Sequence, residues 1–359
     1  MKKNNFNFKN LFNRKNSKQL VSYGLVILIY VVCEILLKSG NMSSLFKNIL
    51  VPCCCYIVAA LALNLCVGLS GELSLGHAGF MSIGAFTGVC VSGLLAGTIS
   101  SGIIRLIIAI ILAAIISAIF GFLIGIPVLK LQGDYLAIVT LAFCQIIASI
   151  LNNIYFGFDE NGIQFSFVEN KLNLSSTGKV LLGGPIGASG TERISNFTIS
   201  AVLILIALFV IYNLMDSKNG RAIMAARDNR IAALSVGINV THIKMLSFVI
   251  SAALAGAAGA VYGLNFSTLA PTKFGFNQSI LILVYVVLGG LGNVTGTIIA
   301  TVALYVLPEL LRSLDSYRMI IYSVILILIM LITNNDKFKN KLSSFKVVNR
   351  EKSVGEELK

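Results

Sequence analysis

The sequence is poor in charge. Only 12% of its 359 residues are Asp, Glu, Lys or Arg, against roughly 25% in soluble domains, which excludes a chain built mainly of soluble domains. Negative charge is the scarcer sign, with 15 acidic residues against 28 Lys and Arg. Glu34, Glu72 and Glu309 all fall near the ends of apolar runs, so the carboxylates expected inside the spans of an ion-coupled carrier are scarce. A phosphate-cradling loop ending in Gly-Lys-Ser or Gly-Lys-Thr is missing too. Gly178 and Lys179 are followed by Val180, and Asn173 stands where the loop's first glycine belongs, which removes the usual ATP site of a primary pump. The seven cysteines include no CxxC pair and imply no disulfide framework. Cys53, Cys54 and Cys55 are consecutive, so on a helix they point about 100° apart and cannot close around one metal. No A-x-A cleavage site follows the basic opening and the apolar run from Leu20 to Leu37, and this run reads as an uncleaved first span.

What fills the chain is apolar: 56% of residues are hydrophobic and the mean hydropathy is +0.87. Runs close to the ~20 residues that cross a bilayer recur throughout, so helices rather than barrel strands must satisfy the backbone. The expected fold is an all-α integral membrane protein of about ten transmembrane helices, near residues 20–38, 47–67, 76–97, 103–127, 134–154, 197–215, 245–263, 278–292, 297–312 and 318–333. An even count puts both termini on one side, and the Lys and Arg of residues 2–18 put that side in the cytoplasm. A basic tail over 1–19, a membrane domain over 20–333 and a second basic tail over 334–359 follow, with residues 219–244 facing the cytoplasm and the connection 155–196 facing out. The net charge of +13 then reflects membrane orientation and contact with lipid headgroups. Nucleic acid is excluded as a partner because no aromatic-interleaved basic domain exists.

Asn219 to Lys244, NGRAIMAARDNRIAALSVGINVTHIK, interrupts the apolar pattern but still reads as helix. Ala222, Ala225, Ala226, Ala232, Ala233 and Val236 recur at helical spacing and form a narrow seam. Arg221, Arg227, Asp228 and Arg230 can set the register of a partner through charge. The segment is either a docking element between two spans or an amphipathic loop on anionic headgroups.

Gly68 to Thr87, GLSGELSLGHAGFMSIGAFT, is rich in small residues and ill suited to face lipid. A broken or re-entrant helix lining a path is expected, since breaks at membrane depth are tolerated against protein or a water-filled cavity. Its path candidates are Gly71, Glu72, Ser74, Gly76, His77 and Gly79; tight packing, with Glu72 and His77 at the interface, is the alternative. Val287 to Thr297 (VLGGLGNVTGT) adds Gly289, Gly290 and Gly292, and lacks the strand and helix context of a nucleotide-binding loop. Asp134 begins the fifth span, where capping accounts for a carboxylate. Leu181 to Gly190 (LLGGPIGASG) either turns or presents backbone to a partner, and Ser251 to Gly263 (SAALAGAAGAVYG) reads as a close helix interface. Spans two to five and seven to ten enter from opposite sides, which permits an inverted repeat.

Small-residue spans of this kind fit transport, and the shortage of carboxylates together with a docking segment favours a permease driven by a separate ATPase over an ion-coupled secondary transporter. Four motifs then carry a resemblance: residues 68–86, 133–143, 220–239 and 274–296 occur in the order found in the LivM-type permeases of branched-chain amino-acid ABC importers, across most of 47–333. The chain resembles that family, and related permeases for sugars and nucleosides share its architecture. The resemblance implies a non-enzymatic subunit without its own cofactor, a second permease subunit, cytoplasmic ATPase subunits that bind ATP and Mg, an extracytoplasmic solute-binding protein, and a bacterial plasma membrane. It places Gly220, Arg221, Ala225, Arg227, Asp228, Ala232, Ala233 and Gly237 on the ATPase-coupling segment. The chain departs from relatives at Arg230, where acidic or polar residues are common, and at Leu234 and Ser235, where Glu-Ala is frequent; these changes alter charge matching with the ATPase.

Overall fold

The computed structural model describes residues 14–40, 43–131, 133–159, 162–167, 179–312 and 317–334. Most of both basic tails, and the side chain of Asp134, lie outside the described residues. Twelve helices occur in the described residues: α1 (Arg14–Lys38), α2 (Ser44–Asn64), α3 (His77–Leu95), α4 (Gly102–Val128), α5 (Asp134–Asn153), α6 (Phe197–Asp216), α7 (Lys218–Asp228), α8 (Arg230–Ser235), α9 (Val240–Gly263), α10 (Phe276–Gly289), α11 (Val294–Leu310) and α12 (Arg318–Asn334). Among the described residues, eight segments are helical, long and apolar enough to cross a membrane, namely Gln19–Lys38, Phe46–Leu69, His77–Leu95, Gly102–Val128, Tyr135–Asn153, Phe197–Asp216, Val240–Gly263 and Pro271–Gly289; Val294–Leu310 and Ile320–Leu331 are apolar but shorter. Each of the ten expected spans falls on one of these segments. The chain divides into two compact units, Met1–Val302 and Ala303–Lys359. Within the second, Arg312 Nη1 pairs with Glu309 Oε1 at 2.9 Å, and α12 exposes Ile320, Val324, Ile327 and Leu331.

Helix α9 is the centre of the first unit. A Cβ on Gly84 would collide with the Gly256 carbonyl, and one on Gly88 would lie 2.9 Å from Ala260 Cβ, so α3 and α9 rise together with their backbones nearly touching. On another face, a Cβ on Gly121 would lie 2.6 Å from Ala252 Cβ and one on Gly125 2.6 Å from Met245 Sδ, which makes α4 antiparallel to α9. Such packing suits a bilayer, where apolar side chains gain nothing by leaving lipid and association depends on close van der Waals contact. The opposite side of α4 stays bare, with Ile104, Ile107, Ile111, Ile115 and Ile119 exposed.

The all-helical expectation needs correction at the connection 155–196. There β1 (Tyr155–Asp159), β2 (Gly162–Ser166), β3 (Lys179–Gly183) and β4 (Ala188–Ser189) join β5 (Thr268–Leu269) in a sheet of order β2-β1-β3-β4-β5. The neighbouring strands pair antiparallel. The strands are too short to register among long apolar runs, and the sheet closes only when β5, from after α9, pairs with β4 through Ala188 and Leu269. Leu181 to Gly190 therefore turns: a 3-10 turn at Gly184–Ile186 lies between β3 and β4, and Gly187 holds φ 72 against the Leu269 carbonyl where a side chain cannot fit. Arg105, at the start of α4, fastens this sheet region through Glu192 at 2.6 Å, and Thr191 Oγ1 donates to the Phe266 carbonyl at 2.6 Å.

Candidate functional site

The expected coupling segment and part of the expected path residues lie at the end of the first unit opposite the sheet. Helix α2 passes into a π turn over Leu65–Leu69, and the chain is then unwound through Gly76 before α3 begins at His77. Gly71 takes φ 73 in this stretch, and a Cβ there would lie 2.7 Å from Arg227 Cγ. Only glycine meets both demands. The chain is thus broken over 70–76 between two apolar helices, within the small-residue stretch that the sequence marks.

The mixed-polarity stretch folds as two helices, where the sequence pattern predicted one. Asn229 adopts φ −151, ends α7 and caps α8 by accepting from Ala232 N at 3.0 Å. An Asn that can satisfy a free N–H is a natural break point. The break rotates the Ala seam apart: Ala226 and Ala233 are buried, while Ala225, Ala232 and Val236 face outward. Helix α7 starts on Ser217, whose Oγ accepts from Gly220 N at 3.0 Å, and Arg221 Nη1 returns to the Asp216 carbonyl at 3.0 Å. Gly220 packs against the Leu214 carbonyl, and Gly237, with φ 84, follows α8. Ile223 anchors α7 in a cluster with Leu65, Leu69, Leu214 and Ile243, and Ala226 joins Ala233 and Val240 in a second. One face is held to the bundle; the other exposes Ile231 (80%), Leu234 (52%) and Val236 (79%). Those three apolar residues lie outside the expected Ala seam except for Val236.

Arg227 connects this helix pair to the break. Its Nη1 donates to the Gly68 carbonyl at 2.7 Å, while Nε and Nη2 both donate to Asp228 Oδ1 at 3.0 Å. Gly68 in turn lies against the turn after α10, where its Cβ would meet Gly292 Cα at 2.8 Å. Gly290 and Gly292 hold φ 91 and 77 there, and a Cβ on Gly289 would lie 2.5 Å from Thr297 Cα. Asn64 fixes the same turn, accepting from Gly292 N at 2.8 Å and donating to Thr297 Oγ1 at 3.0 Å. Glu72 pairs with Lys244 at the start of α9, with side-chain exposures of 12% and 14%. Residues 68–72, 227 and 289–292, three separate sequence motifs, therefore form one cluster.

The remaining path candidates lie elsewhere. His77 is buried, its Nδ1 3.2 Å from Ser74 Oγ. Its Nε2 meets Ser251 Oγ, and Ser251 donates to the Ala62 carbonyl; this order assigns Nε2 as the donor and Nδ1 as the acceptor. The ring thereby ties α3 to α9 and α2. A Cβ on Gly76 would lie 2.6 Å from the Thr140 carbonyl oxygen and one on Gly79 3.2 Å from Cys144 Cα, so both serve the contact of α3 with α5. Asn64, Thr140, Ser251 and Thr297 were missed from sequence, though each is a polar residue inside an apolar run, the pattern that marks such positions. Among the described residues no three His, Cys, Asp or Glu side chains could hold a metal ion.

Apolar helices of bilayer length, closed by small residues and carrying an amphipathic helix pair at one end, define a multi-pass integral membrane protein. Residues 45–333 match a family described as "Branched-chain amino acid transport system / permease component". The chain belongs to that family, and with it to the bacterial plasma membrane. It is 36% identical over 296 residues to the high-affinity branched-chain amino acid transport system permease protein LivM of Salmonella typhimurium, covering 77% of this chain and 66% of the relative. To LivM of Escherichia coli it is 35% identical over 286 residues, with coverage of 77% and 66%. The chain thus spans about two thirds of the length of these relatives. A shorter similarity, 33% over 132 residues, covers 34% of this chain and 41% of the ribose import permease protein RbsC of Haemophilus influenzae. No solved structure matches the chain.

Proposed function

We propose that this chain is the permease subunit of an ABC importer that moves branched-chain amino acids inward by alternating access. ATP and Mg act on partner ATPase subunits, and a second permease subunit and an extracytoplasmic solute-binding protein complete the assembly. Ten spans with both termini in the cytoplasm put α7 and α8 on the ATPase side and the β-sheet on the solute-binding side. The observation that carries the reading is the reach of Arg227 from the exposed helix pair to the Gly68 carbonyl, where the break after α2 meets the turn after α10. A push on α8 through Ile231, Leu234 and Val236 passes to α7 and is delivered there to two glycine segments at once. Names borne by the relatives support the substrate class, while the ribose permease similarity supports sugars as a second class.

The test is uptake of labelled leucine, a nucleoside and a pentose by cells with and without this gene. Loss of leucine uptake, competed by valine and isoleucine and unaffected by collapsing the proton gradient at constant ATP, is expected. Loss of pentose or nucleoside uptake alone keeps the permease mechanism and overturns the substrate. Collapse of uptake with the proton gradient overturns ATP coupling.

A further inference from the structure

Gln145, Ser149 and Asn152 recur at four and three residues along α5 and so share one face of an otherwise apolar helix. Facing them are Lys273, just before α10, and Asn277 and Gln278 in its first turn, and the two groups line a cleft of about 570 Å³. That size is within the roughly 300–1,000 Å³ of small-molecule sites. Gln145 lies about two turns inside the end of α5, roughly 12 Å deep. Lipid is a poor cover for such a surface, because polar groups at membrane depth face protein or a water-filled cavity. Among the described residues, none of the side chains of Gln145, Asn152, Asn277 and Gln278 is engaged in a hydrogen bond. Lys273 brings a positive charge and no acidic side chain lines the cleft. Its Nζ stands 4.9 Å from the centre of the Phe266 ring, which positions the ammonium without neutralising it.

We propose that this cleft binds the zwitterionic head group of an aliphatic amino acid; the assignment rests on the importer reading above and gives it a residue-level site. The carboxylate meets Lys273 and the positive end of α10. The ammonium is taken by the amide oxygens of Gln145 and Asn152, which solvate a cation without a counter-charge, and the aliphatic portion lies along Ala148 and Phe276. A sugar would use the amides and hydroxyls but has no carboxylate for Lys273. An amino alcohol lacks the same group, so the site distinguishes leucine from leucinol.

The experiment uses the full chain with its transport partners in cell membranes. Ser149→Cys is labelled with a membrane-impermeant maleimide from outside, with the wild-type chain giving the background from its own thiols. Leucine is expected to slow the labelling and leucinol to leave it unchanged. Adding Lys273→Met raises the leucine concentration for half-protection about tenfold, and Lys273→Arg restores it. Asn277→Cys, which lines the same cleft but is given no contact to the head group, provides the same readout should Ser149→Cys fail to reach the membrane. Wild-type leucine uptake is measured alongside. Uptake without protection of either cysteine, or no labelling at either, overturns the cleft and leaves the importer reading standing. Protection by ribose instead of leucine overturns the amino-acid class, and absence of wild-type leucine uptake overturns the importer reading itself.

Discussion

The Arg227 guanidinium donates a 2.7 Å hydrogen bond to the carbonyl of Gly68, 159 residues earlier in the chain. A carbonyl freed where α2 passes through a π turn has lost its regular helical partner, and a charged donor from outside the helix replaces it. Asp228 steadies the same guanidinium by accepting from Nε and Nη2. One side chain thus holds the break after α2 closed and shares its support with the helix pair that presents Ile231, Leu234 and Val236 outward.

Arg227→Ala removes that support while leaving Ile223 and Ala226 to hold α7 in place. Leucine uptake is expected to fall about tenfold or more, in line with the loss of a charge-assisted bond, at an unchanged amount of protein in the membrane. Arg227→Lys should recover only part of it, because an ammonium cannot reach the carbonyl and bind Asp228 in the fork geometry. Labelled uptake with immunoblotting of membranes checks both, and wild-type rates for Arg227→Ala would remove the coupling role.

Glu72 and Lys244 join the unwound stretch to the first turns of α9, with little exposure of either side chain. Reversing one charge leaves two like charges in a half-buried place; reversing both restores attraction. Glu72→Lys and Lys244→Glu should each abolish most uptake, and the double reversal should return a substantial part. A coupling of about 1–3 kcal/mol in the double-mutant cycle for stability is expected. Additive losses in the double variant would mean that the pair is incidental.

The long helices were legible from sequence because the ~20-residue apolar run is a strong signal, and all ten expected spans fall on helices. The glycine segments at 68–79 and 289–292 were legible as breaks for the same reason: their composition has no place facing lipid. Their meeting through Gly68 and Gly292 was not, since no local pattern records which turn packs on which. Asn229 illustrates a different limit. It looked like one polar residue within a single helix of period 3.6, yet its side chain supplied a cap and divided α7 from α8. The sheet was missed because its strands are short and one of them, β5, comes from beyond α9.

Gly259 lies under Met81, whose carbonyl would collide with any Cβ placed there. Gly259→Val should push α3 from α9 and, through α9, disturb the contacts with α2 and α4; loss of folded protein from the membrane and aggregation on detergent extraction are expected. Cys53→Ser provides the contrast. It keeps the volume of a residue that is 8% exposed, so yield and uptake should remain near wild type. Size-exclusion profiles of the extracted variants decide the matter, and a monodisperse Gly259→Val would show that the seam tolerates separation.

Arg105 has a side chain only 7% exposed, yet its partner Glu192 is 61% exposed. The carboxylate therefore remains largely hydrated while it compensates a cation fixed between α3, α4 and the sheet region, and Arg105 Nε has no hydrogen-bond partner among the described residues. Glu192→Ala leaves that cation buried with no counter-charge, at a cost of about 1–3 kcal/mol. Arg105→Met removes the charge together with the need to balance it and keeps most of the apolar stem's packing, so it should be the milder change. Thermal unfolding in detergent can be followed with a thiol-reactive dye, because Cys53, Cys54, Cys55, Cys66 and Cys144 are all buried until the bundle opens. Glu192→Ala is expected to melt lower than both wild type and Arg105→Met. A melting curve for Glu192→Ala that coincides with wild type would show that hydration, rather than the ion pair, already satisfies Arg105.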